Sequence, residues 1–422
     1  MTDAIIALIV LAVMAVLFVL NKPPIALTAL GGAAALVLLG VLPAEEMFAA
    51  LSGNTIVLIA AMMVIGAGLF HTGVAEALAA RIVRVTGTTE NGLMLGTLLV
   101  GTIVSSIASG VAVVAMLLPV IIGISKRAQI STSRQLIPLA FAASFGGNLT
   151  LVGAASNVVV SGQMEGLGVR GLTFFEIAKV GIPVMIAAIL YFMTIGKKFL
   201  TPGDSSDESY LAEYTHRESP GFDKVRGTIS IVVLFAALIT MIIDIEFLPM
   251  YLVAVIGALI MILTGCIKED SAYRAIDWST IFVIAGMSAV TAAMAESGAA
   301  AMIGNATVSL LGENPNKFVV LLVIFAVVMV LTNLMLNTST TLLLTPLFIP
   351  VAQAVDVNPV AVGIAICVAA SSPFVSPVGS GTNTLIVKPG GLKFMDFFRP
   401  GLGLSIVVLV VSMIAIPIGW PL

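Results

Sequence analysis

Charge is what this chain has least of. Of its 422 residues only 10% are Asp, Glu, Lys or Arg, and histidine and cysteine occur twice each. With 59% hydrophobic residues and a mean hydropathy of +1.16, the chain lies far outside the range of a soluble domain and reads as an all-α polytopic membrane protein. The formal net charge of -3 carries no message about partners, because charges in such a protein are sorted by side of the membrane, and no basic patch for nucleic acid is visible. Cys266 and Cys367 sit at the end of or within apolar runs, so they read as packing residues. His71 and His216 have no partner at ligand spacing. Most telling, no Asp, Glu, Lys, Arg or His stands in the middle of any apolar run. Proton-coupled carriers usually need a titratable group there, and intramembrane proteases need an aspartate pair, a zinc motif or a Ser/His set. Both classes are set aside, and no cofactor is called for.

What is there is apolar length. Runs able to cross about 30 Å of hydrocarbon lie near 4–20, 24–42, 55–71, 137–163, 177–196, 228–243, 248–265, 279–295, 360–387 and 400–420. The first carries Asp3 where a signal peptide needs basic residues and has no small-x-small cleavage site before Asn21, so it reads as an uncleaved span. Two further uncharged runs, 92–123 and 318–355, are too long for one span and too short for two with a turn. Loop charge decides their topology, since cytoplasmic loops are rich in Lys and Arg. If both are re-entrant hairpins, all of the 19 Lys and Arg residues except Arg170, Lys179 and Lys317 fall on one side. If each crosses once, the cations divide almost evenly. The hairpin reading places both termini on the non-cytoplasmic side of the cell (inner) membrane.

The chain also repeats itself. Ser144–Gln163 (SFGGNLTLVGAASNVVVSGQ) is an apolar segment interrupted by Gly, Ser and Asn, and Ala370–Val387 (ASSPFVSPVGSGTNTLIV) returns the pattern, with Gly153 matching Gly379 and Asn157 matching Asn383. Gly40 matches Gly265, Thr55 matches Thr280 and Pro119 matches Pro346; the ends GLTFFEIAKVG from Gly171 and GLKFMDFFRPG from Gly391 match as well. Each half, 1–200 and 227–422, then holds five spans and one hairpin. An odd number of spans inverts the second half, giving an inverted repeat. Residues 201–226 form a polar cytoplasmic linker.

Small polar residues cluster at four places. Ser105, Ser106, Ser109 and Gly110 mark the first hairpin turn; Thr332, Asn333 and Asn337–Thr341 mark the second; the two interrupted helices supply the rest. A helix broken at mid-depth survives only where its free backbone groups line a protein-buried cavity, and an inverted repeat gathers such breaks near the midplane. Half-helix N-termini there suit an anion, while unwound carbonyls with Ser, Thr and Asn oxygens suit a hard cation such as sodium.

These features resemble the divalent anion/sodium symporter family of the ion transporter superfamily, whose members carry dicarboxylates, citrate or sulfate. That family has Ser-Asn-Thr at each hairpin tip, with a Pro ten positions after the Ser. Counting back from Pro346 gives Leu336-Asn337-Thr338, and from Pro119 gives Ser109-Gly110-Val111, so the first tip keeps only Ser. The family's breaks read like SIGGTATLxGTxPN and FMxPVATPxN; here they are SFGGNLTLVGAASN and FVSPVGSGTN. The resemblance implies sodium held by Ser105, Ser109 and carbonyls around Gly153 at one site, and by Thr332, Asn337 and carbonyls around Gly379 at the other. It implies substrate contacts from Ser109, Asn157, Asn337, Thr338, Ser380, Thr382 and Asn383. It further implies a homodimer in which hairpins and broken helices move as one unit against a scaffold. An anion exchanger, an arsenite-type efflux permease working without sodium, and a channel or permease subunit are the competing readings.

Overall fold

With no water to satisfy free amides and carbonyls in hydrocarbon, apolar runs must close their hydrogen bonds internally, and they do so as helices. The computed structural model describes residues 3–20, 22–87, 89–201, 222–243, 248–311 and 315–422. Most of the linker, with His216, lies outside the described residues. The first half runs α1 (Asp3–Leu20), α2 (Ile25–Leu38), a 3₁₀ segment (Ala44–Ser52), α3 (Asn54–His71), α4 (Val74–Thr86), the pair α5 (Glu90–Ser105) and α6 (Gly110–Ala128), the interrupted pair α7 (Ser133–Gly146) and α8 (Ala155–Gly166), and α9 (Ala178–Thr194). The second half has the same order: α10 (Lys224–Ile243), α11 (Met250–Leu263), α12 (Glu269–Ala275), α13 (Trp278–Glu296), α14 (Ala299–Leu311), the pair α15 (Lys317–Thr332) and α16 (Asn337–Ala354), the interrupted pair α17 (Pro359–Ala370) and α18 (Gly381–Gly390), and α19 (Phe394–Gly419). Among the described residues there is no strand.

Helices α1, α3, α6, α10, α13 and α19 are long and apolar enough to cross a membrane by length and composition, and several shorter apolar helices accompany them. The outer face of α19 repeats Leu402, Ile406, Val410, Ile414 and Ile418 every fourth residue, all exposed, an apolar stripe suited to hydrocarbon surroundings. The protein is thus a multi-pass membrane protein. The apolar runs of the sequence all become helices, and both long runs become helix–turn–helix hairpins. Three helices, α4, α12 and α14, of 13, 7 and 13 residues, were invisible as spans because they are too short to cross the membrane.

Matched residues do matched work. Gly40 and Gly265 each follow a helix end and take the left-handed conformation, with φ of +75° and +71°. Helix α2 packs on α13, and α3 on α11; α5 packs on α7, α15 on α17 and α9 on α19, while α8 packs on α13 and α14 on α16. Buried Phe141 on α7 packs its ring 5.0 Å from Phe374, 6.0 Å from Phe192 and 6.4 Å from Phe397. At the last glycine of each matched end, a helix crosses the backbone of a break: a Cβ on Gly181 would strike Asn148 O, and one on Gly401 would strike Phe374 O.

The loop before α9 is pinned to the C-terminal end. Buried Glu176 accepts hydrogen bonds from Arg170 Nη1 (2.9 Å) and Nη2 (2.5 Å), the Thr173 amide (2.9 Å) and Trp420 Nε1 (3.0 Å), and Lys179 lies 5.1 Å from the Trp420 ring centroid. Burial pushes this carboxyl up, but the bonds from Arg170, Thr173 and Trp420 outweigh it and hold the group down at about 2, against 4.5 in the ordinary state. A depressed folded value means stabilisation that is full above pH 4.5 and is lost as pH falls toward 2, roughly 3 kcal/mol in all. Glu176→Gln should therefore melt well below the parent protein at pH 7, with the gap shrinking by about half at pH 3. An equal gap at both pH values would refute the assignment.

Candidate functional site

The two hairpin tips and two breaks meet around one cavity of about 710 Å³. Its wall includes residues 110–112, 154–156, 336–338 and 380–382, which are the starts of α6, α8, α16 and α18, in that order. Four helix N-termini thus face a common space, each worth about half a positive charge. Among the described residues, no Lys, Arg or His lines the cavity, and Asp277 is the one charged residue that does. Asp277 caps α13, accepting from Thr280 N at 3.2 Å and Thr280 Oγ1 at 2.6 Å.

Each tip is built on a threonine or serine that satisfies the end of the facing broken helix. Ser105 Oγ donates to Ala143 O at 2.5 Å, and Thr332 Oγ1 donates to Ala370 O at 2.7 Å. The tips are also tied to the breaks themselves: Thr150 Oγ1 donates to Ser106 O (2.5 Å), and Val375 N donates to Asn333 Oδ1 (2.8 Å). Gly153 and Gly379 lie so close that a Cβ would come within 3.0 Å of Ser105 O and 2.5 Å of Thr332 O, respectively. Only glycine lets the two backbones approach this far.

At the second tip one terminal atom of the Asn337 amide lies 3.0 Å from Thr332 Oγ1, 3.1 Å from Ala370 O and 2.9 Å from Gly379 O. Which amide atom points there is an assignment. As nitrogen, the orientation that satisfies every partner, it ties all three acceptors together; turned over beside a bound cation, its oxygen would complete a set of four oxygens, the donor set of a hard cation. The matched position at the first tip is Gly110, whose would-be Cβ sits 3.0 Å from Ala143 O and 3.4 Å from Ser105 Oγ. The oxygens are there, but the amide is missing.

Of the residues singled out from sequence, Ser109, Gly153, Asn337, Thr338, Ser380 and Thr382 line the cavity. Ser105, Thr332 and Gly379 lie directly behind the tips. Asn157 and Asn383 do not line it. Both are fully buried and brace their own breaks: Asn157 Nδ2 donates to Gly147 O (2.9 Å) and Thr150 O (3.3 Å), and Asn383 Nδ2 to Pro373 O (2.7 Å) and Ser376 O (2.9 Å). Sequence reading passed over Ser144, Ser156 and Ser371, which line the cavity. Ser144 Oγ lies 3.1 Å from Thr382 Oγ1, which in turn lies 2.8 Å from Ser380 Oγ, a hydroxyl chain joining the two halves. The buried hydroxyls of Ser156 and Ser371 have no partner among the described residues. Their signal in the sequence was the repeat itself, since Ser144 matches Ser371 and Ser156 matches Thr382.

The family model described as "Citrate transporter" matches this chain over residues 15–341 and 241–420. The chain belongs to the citrate transporter family. Like other members of the citrate transporter family it is a secondary transporter and not an enzyme, and the resemblance carried by its tips and breaks holds. It is 24% identical to an uncharacterized transporter of Synechocystis, with 93% of each chain covered. It is 23% identical to a Caenorhabditis elegans protein named sodium-dependent high-affinity dicarboxylate transporter 3, covering 95% of this chain and 81% of that one. In fold it is similar to the YdaH transporter of Alcanivorax borkumensis, with a TM-score of 0.64 at 16% identity over 99% of this chain and 98% of that one.

Proposed function

We propose that this protein is a sodium-coupled carrier of a small organic anion of the dicarboxylate or citrate class. The observation that carries this reading is the cavity faced by four helix N-termini and lined, among the described residues, by no basic side chain, beside the oxygens of Thr332, Ala370 and Gly379 within reach of the Asn337 amide. Four half-charges sum to about +2, which suits a dianion. The cation supplies further neutralising charge, so anion and sodium bind better together than apart. Ser144, Ser156, Thr338, Ser371, Ser380 and Thr382 hold the anion through hydroxyls, and Thr332, Asn337 and the Ala370 and Gly379 carbonyls hold sodium. Ser105, Ser109 and the backbone at Gly153 form a weaker counterpart. The name of the C. elegans relative, sodium-dependent and dicarboxylate, supports both halves of the reading.

Transport would follow an elevator-type alternating access, the body of α5–α9 and α15–α19 moving against that of α1–α4 and α10–α14. The halves are taken as inverted, with both termini outside the cytoplasm, in a homodimer in the inner membrane. A ligand that binds only the folded state at a hundred times its Kd stabilises it by about 2.7 kcal/mol. Thermal melting of the purified protein should therefore rise with succinate or citrate when sodium is present, and not when choline replaces it. A rise independent of sodium would overturn the coupling, and no rise with any organic dianion or sulfate would overturn the substrate class.

A further inference from the structure

The two halves share an order of helices but not their packing. Helix α14 lies along α16, the second arm of its hairpin, whereas α4 packs on α5 and only grazes α6. The space left on the α4 side is a second cavity of about 870 Å³, walled by α3, α4, α5, the tip residues Ile107 and Ala108, and α10 with Phe222 before it. Every lining side chain is apolar except Arg81 and Arg84. These two stand three residues apart, on one face of α4, both exposed, and neither is in an ion pair among the described residues. An apolar trough ending in two unpaired guanidinium groups has the polarity of a lipid, tail and anionic head. Neither a soluble anion nor a neutral lipid satisfies both ends.

We infer that this groove holds an anionic phospholipid, with an acyl chain along Leu78, Ile103 and Leu234 and its phosphate at Arg81 and Arg84. On the loop-charge topology these arginines stand at the cytoplasmic headgroup level, where anionic lipid and juxtamembrane cations attract. Ile107 and Ala108, with Gly66 and Phe70, are shared with the substrate cavity, so the chain lies against the back of the hairpin tip. It fills the space α6 would need to approach α4 as α16 approaches α14. Bound lipid therefore holds the present arrangement.

Native mass spectrometry of the whole protein, titrated with phosphatidylglycerol and with phosphatidylcholine, tests this. The parent protein should retain phosphatidylglycerol far better. Two surface cations at roughly 1 kcal/mol each predict that Arg81→Gln with Arg84→Gln weakens phosphatidylglycerol about thirtyfold, leaving phosphatidylcholine unchanged. Arg81→Lys with Arg84→Lys should restore it, and Ala77→Trp, which fills the trough, should weaken both lipids. Equal retention of the two lipids by the parent protein, or a Gln pair that binds phosphatidylglycerol undiminished, would overturn the site. So would displacement of the lipid by inorganic phosphate alone, since that would make the tail irrelevant.

Discussion

Gly401→Ala is expected to abolish recovery of folded protein. The added methyl would overlap Phe374 O, with Val375 N 3.0 Å away, so what it meets is the rigid Phe374–Val375 peptide group and not a side chain that could swing aside. Overpacking typically costs about 1–3 kcal/mol and occasionally more, and an overlap with rigid backbone at this close approach belongs at the upper end, since it also pushes α19 off the second break. Gly181→Ala should do the same through Asn148 O. Gly31→Ala is the control, since nothing lies within 4 Å of a Cβ there and a mid-helix alanine is favoured over glycine. Size-exclusion of detergent extracts followed by melting separates the cases. A Gly401→Ala protein that elutes and melts like its parent, while Gly31→Ala does so too, removes the argument that these glycines exist for close approach.

Asn337→Ala should leave a folded protein that no longer couples anion to sodium. The hydrogen bond from Thr332 to Ala370 O persists without the amide, so the tip keeps its main tie. What goes is the amide oxygen that the proposed sodium site draws on when the side chain turns it toward Thr332, Ala370 and Gly379, a charge-assisted contact worth about 1.5–3 kcal/mol. That is roughly ten- to a hundredfold in sodium affinity, and at fixed, sub-saturating sodium the anion binds more weakly too, because less of the carrier then holds the cation that favours it. Calorimetric titration of each ligand in the presence of the other reads both. The reverse change, Gly110→Asn, places an amide beside Ala143 O and Ser105 Oγ at the first tip and should strengthen sodium binding there. Unaltered sodium dependence in Asn337→Ala would mean the cation sits elsewhere.

Much of this was legible in the chain because membranes make breaks expensive. A Gly, Ser or Asn in a soluble helix says little, but Gly146–Gly147 and Pro373–Pro377 inside apolar runs had to mark interruptions, and the structure interrupts both helices there. The tips could be counted back from Pro119 and Pro346 and fall within or beside helix starts Gly110 and Asn337. Side-chain direction was not legible. Asn157 and Asn383 sit on the first turn of α8 and α18, where an amide can turn either to the cavity or back to its own break, and it turns back. Ser144 and Ser371 were hidden for the opposite reason, since a serine among alanines in a membrane helix reads as packing. The short helix α4 escaped because its arginines read as loop charge.

The asparagine braces have an energetic consequence. By clasping carbonyls ten and seven residues back, each closes its unwound stretch into a ring whose shape does not depend on an occupant. The ordering entropy, on the order of 1 kcal/mol per residue, is settled when the chain folds and not when a ligand arrives. On the proposed elevator motion, an empty carrier and a loaded one would present the same contour to the scaffold, so contour could not tell them apart. Discrimination would fall to electrostatics: an anion without its cation, or four bare helix termini without either, would have to be dragged through a low-dielectric barrier, and that barrier would forbid the unproductive crossings on which leak depends.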